Sequence, residues 1–316
     1  MRLVLLGSGE FALPTLRYLA ESDHDVVAVV TQPARPSGRG RRTAETPVYA
    51  AAVESGIPTL APDDVNAPEV VARLRSMDVR LGVVIAFGQK LGASLLATMP
   101  AGCVNLHASL LPKYRGAAPI QWAVAGGEEK TGVTVFRIVE RMDAGPILAS
   151  RWTYIKPDET AGELHDRLAC IGVDAVRAAL ELYDDGAMPP GTPQDDGQAT
   201  RAPKLRKRDG WIDFARPARR VADHIRGMTP WPGATARYEA RDGRWEKTII
   251  VRARPADVPP GPSLEPGTID ERRYVAAADG FLEILEIRPS SGRIMTWRDF
   301  VNGRHVATGD MLVTPD

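Results

Sequence analysis

The chain has 316 residues, 44% hydrophobic and 25% charged, the profile of an ordinary globular protein long enough for two domains. Lys plus Arg and Asp plus Glu number 40 each, so a net charge of zero excludes a protein that coats nucleic acid over its whole surface, though not a local basic face. The two cysteines, Cys103 and Cys170, lie in no CxxC or His-rich pattern; they exclude a disulfide scaffold and read as small buried residues in a reducing compartment. The opening MRLVLLGSGEF is too short in apolar character for a secretion signal. No stretch approaches the ~18 apolar residues of a membrane span, so a cytoplasmic protein without membrane contact is expected.

Short apolar runs alternate with amphipathic segments through the first half. Arg2–Leu6 predicts a buried strand that turns at Gly7-Ser8-Gly9, and Phe11–Ala20 has helical spacing. Asp25–Thr31 is a continuous β-branched run, a strand covered on both faces. Helices are expected over Thr46–Ser55, with Pro47 in its first turn, over Pro68–Met77 and over Gln89–Thr98. Strands are expected at Ile57–Leu60, Val79–Phe87, Cys103–His107, Thr131–Ile138 and Ile147–Ile155, and a long helix over Thr160–Tyr183. Such alternation gives an α/β domain with a mainly parallel sheet, whose ligands sit beyond the carboxyl ends of the strands. Gly7–Ala12 also fits the G-x-G-x-x-A dinucleotide pattern. The second strand ends without an acidic residue, so glycines for a tight turn are the preferred reading.

The Pro-, Gly-, Asp- and Gln-rich run from Gly186 to Pro203 reads as a linker. The expected organisation is a catalytic domain over 1–186, a linker over 187–203 and a C-terminal domain over 204–316. That last part opens with a helical stretch, Ala215–Met228, and continues in short strands at Ala234–Glu239, Lys247–Val251, Arg273–Ala277 and Phe281–Ile287, which suits a small β-barrel. Trp122, Trp231 and Trp297 read as core.

The chemistry concentrates after the strand Cys103–His107. Asn105 and His107 are two residues apart and share a face of an extended strand. Asp143 follows in the turn-like Arg141–Gly145. An amide, an imidazole and a carboxylate suit acyl transfer to an amine without a covalent intermediate: Asn105 and a His107 N–H donate to the oxyanion, and Asp143 orients His107 or takes the proton. No GxSxG or metal-ligand cluster competes, and no metal is expected.

The run NLHASLLPKYRGAAPIQWAV, Asn105–Val124, closely resembles the signature of the folate-dependent formyltransferases. The resemblance implies a Rossmann-like domain in which Asn105, His107 and Asp143 are the catalytic trio and Ser109, Leu110, Leu111 and Pro112 line the folate site. GSGEFALPTL, TQPARPSGRGRR (Thr31–Arg42) and IRGMTPWPGATARY (Ile225–Tyr238) are similar to the branch that acts on methionyl-tRNA, in its order and over essentially the full length. That branch uses 10-formyltetrahydrofolate as co-substrate and formylates the amine of initiator methionyl-tRNA for translation initiation. Its members have a mobile loop, here Gln32–Thr43, that enters the acceptor stem, and a C-terminal barrel of oligonucleotide-binding (OB) type that also contacts tRNA. A monomer is expected. Phe87-Gly88 stands where the family often has Tyr-Gly, which removes a hydroxyl near the expected folate pocket.

Charge placement agrees with an RNA partner. Arg35, Arg39, Arg41 and Arg42 crowd one Gly/Pro/Ser-rich segment that holds no acid, and Lys204, Arg206, Lys207 and Arg208 form a second cluster. The alternative is an N-formyltransferase of a nucleotide-linked amino sugar, which shares the NLH and SLLPKYRG core. A small soluble substrate has no use for the long basic loop, and that loop separates the two.

Overall fold

The computed structural model describes residues 1–37, 42–183, 188–258, 264–290 and 292–315. They divide into two compact units. One comprises Met1–Gly116, Gly132–Thr153 and His165–Arg201; the other comprises Ala117–Thr131, Tyr154–Leu164 and Ala202–Asp316.

In the first unit, strands β1 (Arg2–Gly7), β2 (Asp25–Val30), β3 (Thr59–Leu60), β4 (Leu81–Ile85), β5 (Cys103–His107), β6 (Lys130–Arg137) and β7 (Ile147–Tyr154) form one sheet in the order β7-β6-β5-β4-β1-β2-β3. From β3 to β5 every neighbouring pair is parallel. Strand β6 returns antiparallel to β5, with Thr134 opposite His107. Leu3, Val4, Leu5 and Leu6 are all fully buried, so both faces of β1 are covered. Each such side chain contributes roughly 1.5–3 kcal/mol of transfer free energy.

The connections are helical: α1 (Leu13–Glu21), α2 (Pro47–Glu54) and α3 (Pro68–Ser76) join successive parallel strands, and α4 (Ala161–Glu181) follows β7. Thr46 caps α2 by accepting from the Tyr49 N–H at 3.0 Å, and Pro47 occupies its first position, where a missing N–H costs nothing. Gly7 is required by packing: a Cβ there would come within 3.1 Å of both Ala12 and the Ile85 carbonyl. A dense strand-to-helix turn accounts for the glycine.

Two expectations change in this unit. The helix expected over Gln89–Thr98 shrinks to Ala93–Leu96. Gln89 instead clamps the preceding loop, accepting from Val65 N–H and donating to the Pro62 carbonyl, while Gly92 N–H donates to Asn66. Cys103 is buried, and burial pushes its thiol up to about 12, which makes it inert. Cys170 is exposed on α4 rather than buried.

In the second unit, α5 (Ala218–Gly227) packs on an antiparallel sheet of β8 (Ala234–Glu239), β9 (Trp245–Pro255), β10 (Val275–Ala276), β11 (Phe281–Pro289) and β12 (Met311–Val313), ordered β10-β11-β9-β8-β12. Thr268 bridges Met311 and Ile269 bridges Val275, so one short segment ties the two sheet edges into a nearly closed barrel. This is the small barrel expected from the strand spacing, and it agrees with an OB-like fold. Its core joins Val221, Ile225 and Met228 to Ile250, Leu282 and Phe300. Trp297 belongs to that core and Trp122 packs partly against it, whereas Trp231 is 51% exposed, contrary to the core reading. No helix among the described residues is long and apolar enough to cross a membrane.

Candidate active site

The parallel strands deliver their carboxyl ends to one edge of the sheet, and β5 ends there in Asn105, Leu106 and His107. Strand alternation sends Leu106 into the core and leaves Asn105 and His107 on the other face. Among the described residues the Asn105 amide has no hydrogen-bond partner and is half-buried, so its N–H groups remain open to a ligand.

His107 is 7% exposed and held by two contacts. Its Nε2 lies 2.9 Å from the backbone carbonyl of Tyr114. A carbonyl can only accept, so Nε2 carries the proton and Nδ1 presents a lone pair. Nδ1 faces Oδ2 of Asp143 at 4.0 Å. Burial lowers the pKa of the ring from 6.5, with the Asp143 charge and the Tyr114 carbonyl pulling the other way. The imidazole is therefore neutral at neutral pH.

Asp143 is placed by the backbone. Its Oδ2 accepts from Gly116 N–H at 2.8 Å, and the residue itself adopts the left-handed conformation with φ 52°. Tyr114 is left-handed as well, with φ 60°, and this turns its carbonyl toward His107. The structure thus brings His107 and Asp143 together, with Asn105 two residues before His107 on the same strand.

The Ser109–Pro112 turn packs beside them. Ser109 is fully buried and donates its hydroxyl to the Lys113 carbonyl at 2.7 Å, so that hydroxyl closes the turn. Thr134 on β6 locks the same turn, donating to the Ser109 carbonyl at 2.7 Å and accepting from Leu111 N–H at 3.1 Å. Leu111 is buried, Leu110 and Pro112 are half-buried, and the Leu111–Pro112 peptide is cis. The Phe87 ring lies in the apolar core, while its carbonyl accepts from Ser8 Oγ at 3.1 Å and Gln32 Nε2 at 3.2 Å. Gly88 follows with φ 84°.

Arg35 sits at the base of a two-stranded ribbon in which Arg35–Ser37 pairs with Arg42–Ala44. Arg35 donates to Gln32 Oε1 at 3.1 Å, which links this base to the ends of β1 and β4. Arg39, Arg41 and the side chain of Arg42 lie outside the described residues. Lys204, Arg206, Lys207 and Arg208 are exposed around a turn anchored by buried Leu205 and by Asp209, which accepts from Arg206 N–H.

Four residues near the trio escape sequence reasoning. Arg115 is 10% exposed at its side chain and donates to Gln194 Oε1 and to Asp196 at 2.8 Å. Arg141 also pairs with Asp196, and the two guanidinium groups hold that carboxyl below the usual carboxylate range. Thr200 accepts from Tyr114 N–H through its hydroxyl and from Arg115 N–H through its carbonyl. Arg115 could have been flagged by its place in the KYRG run. Gln194, Asp196 and Thr200 sit in the polar run read as a linker and give no periodic or motif signal. Among the described residues no group of three or more His, Cys, Asp or Glu could hold a metal ion.

The formyl transferase family model matches residues 1–180, and the formyl transferase C-terminal domain model matches 204–305. The methionyl-tRNA formyltransferase of Geotalea daltonii is 42% identical over 312 residues, 99% of this chain and 98% of the relative. That of Solibacter usitatus is 41% identical over 314 residues, again 99% and 98%. Solved structures share the fold at lower identity. An N-formyltransferase from Helicobacter canadensis, in complex with folinic acid and dTDP-3-aminofucose, superposes with a TM-score of 0.64 at 15% identity, covering 89% of this chain and 98% of that one. HypX from Aquifex aeolicus with tetrahydrofolic acid gives 0.60 at 17% identity, covering 95% and 46%. With family models matching both parts and full-length relatives at this identity, the chain belongs to the formyl transferase family, among the methionyl-tRNA formyltransferases.

Proposed function

We propose that this protein transfers the formyl group of 10-formyltetrahydrofolate to the free amine of initiator methionyl-tRNA, giving formylmethionyl-tRNA and tetrahydrofolate. The observation that supports this reading is the approach of His107 to Asp143 at 4.0 Å, at the end of the strand that also carries Asn105, in a chain 42% identical over its length to a methionyl-tRNA formyltransferase.

The bound folate supplies the acyl carbon, and the amine displaces folate N10 from it. The protein's part is charge and proton management. Asn105, with its amide unspent, donates to the formyl oxygen as negative charge builds there. With its Nε2–H given to the Tyr114 carbonyl, His107 acts in this reading as a base rather than as the N–H donor expected from the sequence. Its Nδ1 lone pair instead takes a proton from the attacking amine. The imidazolium that results lies beside the Asp143 carboxylate, which stabilises it, and the proton passes on to the departing nitrogen. The turn Ser109–Pro112, pinned by Thr134, supplies a rigid wall for the folate.

The ribbon that starts at Arg35 and the exposed cluster Lys204, Arg206, Lys207 and Arg208 take the phosphates of the tRNA acceptor stem. The protein acts in the cytoplasm as a monomer. The test is a formyl-transfer assay with formylated folate and three acceptors: charged initiator tRNA, charged elongator tRNA and nucleotide-linked amino sugars. Transfer to initiator tRNA is expected, and preference for an amino sugar would replace this reading with the sugar enzyme.

A further inference from the structure

We infer that Gln194 is a positioning residue: its carboxamide ties the Arg115 side chain to the turn that carries Asp143, and so fixes Asp143 relative to His107. The inference rests on the formyl-transfer reading for its effect on rate, and on geometry alone for its effect on the site.

A primary amide has two donor hydrogens and an oxygen with two lone pairs. Gln194 uses all of them. Its Oε1 accepts from Arg115 Nε at 3.1 Å and Nη2 at 2.7 Å. Its Nε2 donates to the carbonyls of Asp143 at 2.9 Å and Gly145 at 2.8 Å. The two halves of the amide therefore grip two different parts of the site. On one side stands the Tyr114–Gly116 segment, whose Tyr114 carbonyl holds His107 and whose Gly116 N–H holds Asp143. On the other stands the Asp143–Gly145 turn itself.

Both parts need such a tie. Tyr114 and Asp143 are non-glycine residues in the left-handed region, a conformation that persists only where the surroundings impose it. Arg115 is a nearly buried cation whose guanidinium is satisfied by Gln194 and Asp196. Gln194 itself is half-buried within a run of exposed residues, Asp195 to Gln198. Its side chain bonds the Asp143 and Gly145 carbonyls directly, while Asp196 of the same run pairs with Arg141 at the start of that turn.

The test uses the full-length chain with Gln194→Met, which keeps the length and removes every hydrogen bond, and Gln194→Glu. The carboxylate of Gln194→Glu can still accept from Arg115 but has no proton for the Asp143 and Gly145 carbonyls. A misplaced catalytic group costs up to about 100-fold in rate, so kcat is expected to fall about 10- to 100-fold in both variants. KM for folate and for tRNA should stay within about twofold, because ground-state binding is untouched. NMR signals of the His107 ring and the Asp143 carboxyl carbon should shift in the folded variants. Asp143 and the Tyr114 carbonyl are the groups set against that ring, and both are tied through Arg115 and Gln194.

Unchanged kcat with unshifted NMR signals would overturn the inference. So would a kcat loss matching the unfolded fraction seen by circular dichroism, or failure of both variants to fold, since each makes Gln194 a stability residue only. The two readings separate cleanly. If His107→Ala loses activity while Gln194→Met stays fully active with unshifted NMR signals, positioning fails and formyl transfer stands. If the wild type transfers nothing to methionyl-tRNA, the function fails, and the NMR shifts still decide the positioning.

Discussion

Gly116 donates its backbone N–H to Oδ2 of Asp143 at 2.8 Å, and that same oxygen lies 4.0 Å from Nδ1 of His107. The carboxylate is thus aimed by the main chain before any substrate arrives, which is the condition for electrostatic preorganisation. Asp143→Asn keeps the shape and removes the charge. Its kcat is expected to fall by about 10²–10⁴, the range for losing an acid–base partner, with KM little changed. Asn105→Ala, which removes a donor to the developing oxyanion, should cost about 10²–10³. Steady-state kinetics decides both, and wild-type kcat in either variant removes that residue from the mechanism.

The pH behaviour follows from His107. Burial lowers its pKa from 6.5, only partly offset by the Asp143 charge and the Tyr114 carbonyl. The unfolded chain takes up a proton near 6.5 that the folded chain refuses until lower pH. The contribution of this group to stability is therefore complete above 6.5 and is lost as pH falls through the folded-state value. Urea unfolding of the wild type should show that loss, and His107→Gln should show it less. The acid limb of kcat should also lie below 6.5, because the base form survives there. A limb centred above 6.5 would mean that the ring is charged at rest.

The parallel sheet was legible because Leu3–Leu6 and Asp25–Thr31 are unbroken apolar runs, a pattern that burial on both faces produces. That Asn105 and His107 share a face was legible because a two-residue spacing on a strand has one geometric outcome, while their roles come from the resemblance of the Asn105–Val124 run. Three features were not. Gln89 carries helical spacing, yet its amide clamps the 62–65 loop, a tertiary hydrogen bond that no local pattern encodes. The role of Thr134 depends on register across β5 and β6. Gln194 acts on residues 51 and 49 positions away, from a run whose composition says only linker. Hydrogen bonds between irregular segments leave no period in the sequence, so these residues appear only once the chain is folded.

Gly145 sets the shape of the Asp143 turn by steric exclusion. A Cβ there would overlap the backbone carbonyl of Arg137 and press on the Phe136 ring. Since the obstacle is main chain in β6, the turn must move. Gly145→Ala should destabilise the protein by about 1–3 kcal/mol, the usual cost of overpacking. It should also lower kcat more than Asn105→Ala does, because Asp143 moves with the turn. Melting temperature and kcat measured together test this, and an unchanged melting temperature would show that the turn accepts a side chain.

The barrel has its own buried polar lock. Tyr238 donates its hydroxyl to Asp310 at 2.6 Å, and Asp310 also accepts from Arg241 and Ala307 N–H groups at 3.0 and 2.8 Å. Tyr238→Phe leaves a buried carboxylate one donor short, which costs about 1–3 kcal/mol. Equilibrium denaturation should register that loss, while formyl transfer by the folded fraction stays unchanged. A loss in kcat per folded molecule would show that the lock reaches the chemistry.

The basic loop is best probed through salt. Each phosphate neutralised by a Lys or Arg releases condensed counterions, so log K falls with log salt by about 0.9 per contact on a duplex. Arg39, Arg41 and Arg42 replaced together by Gln should weaken tRNA binding and flatten the salt slope by about 2–3. Folate binding in the same variant should not change, because among the described residues the Ser109–Pro112 turn is held by Thr134 and Lys113. Titration of labelled initiator tRNA across a range of potassium chloride measures the slope directly. A triple variant with the wild-type slope would place these three arginines away from the phosphates and leave tRNA recognition to Arg35 and the Lys204–Arg208 cluster.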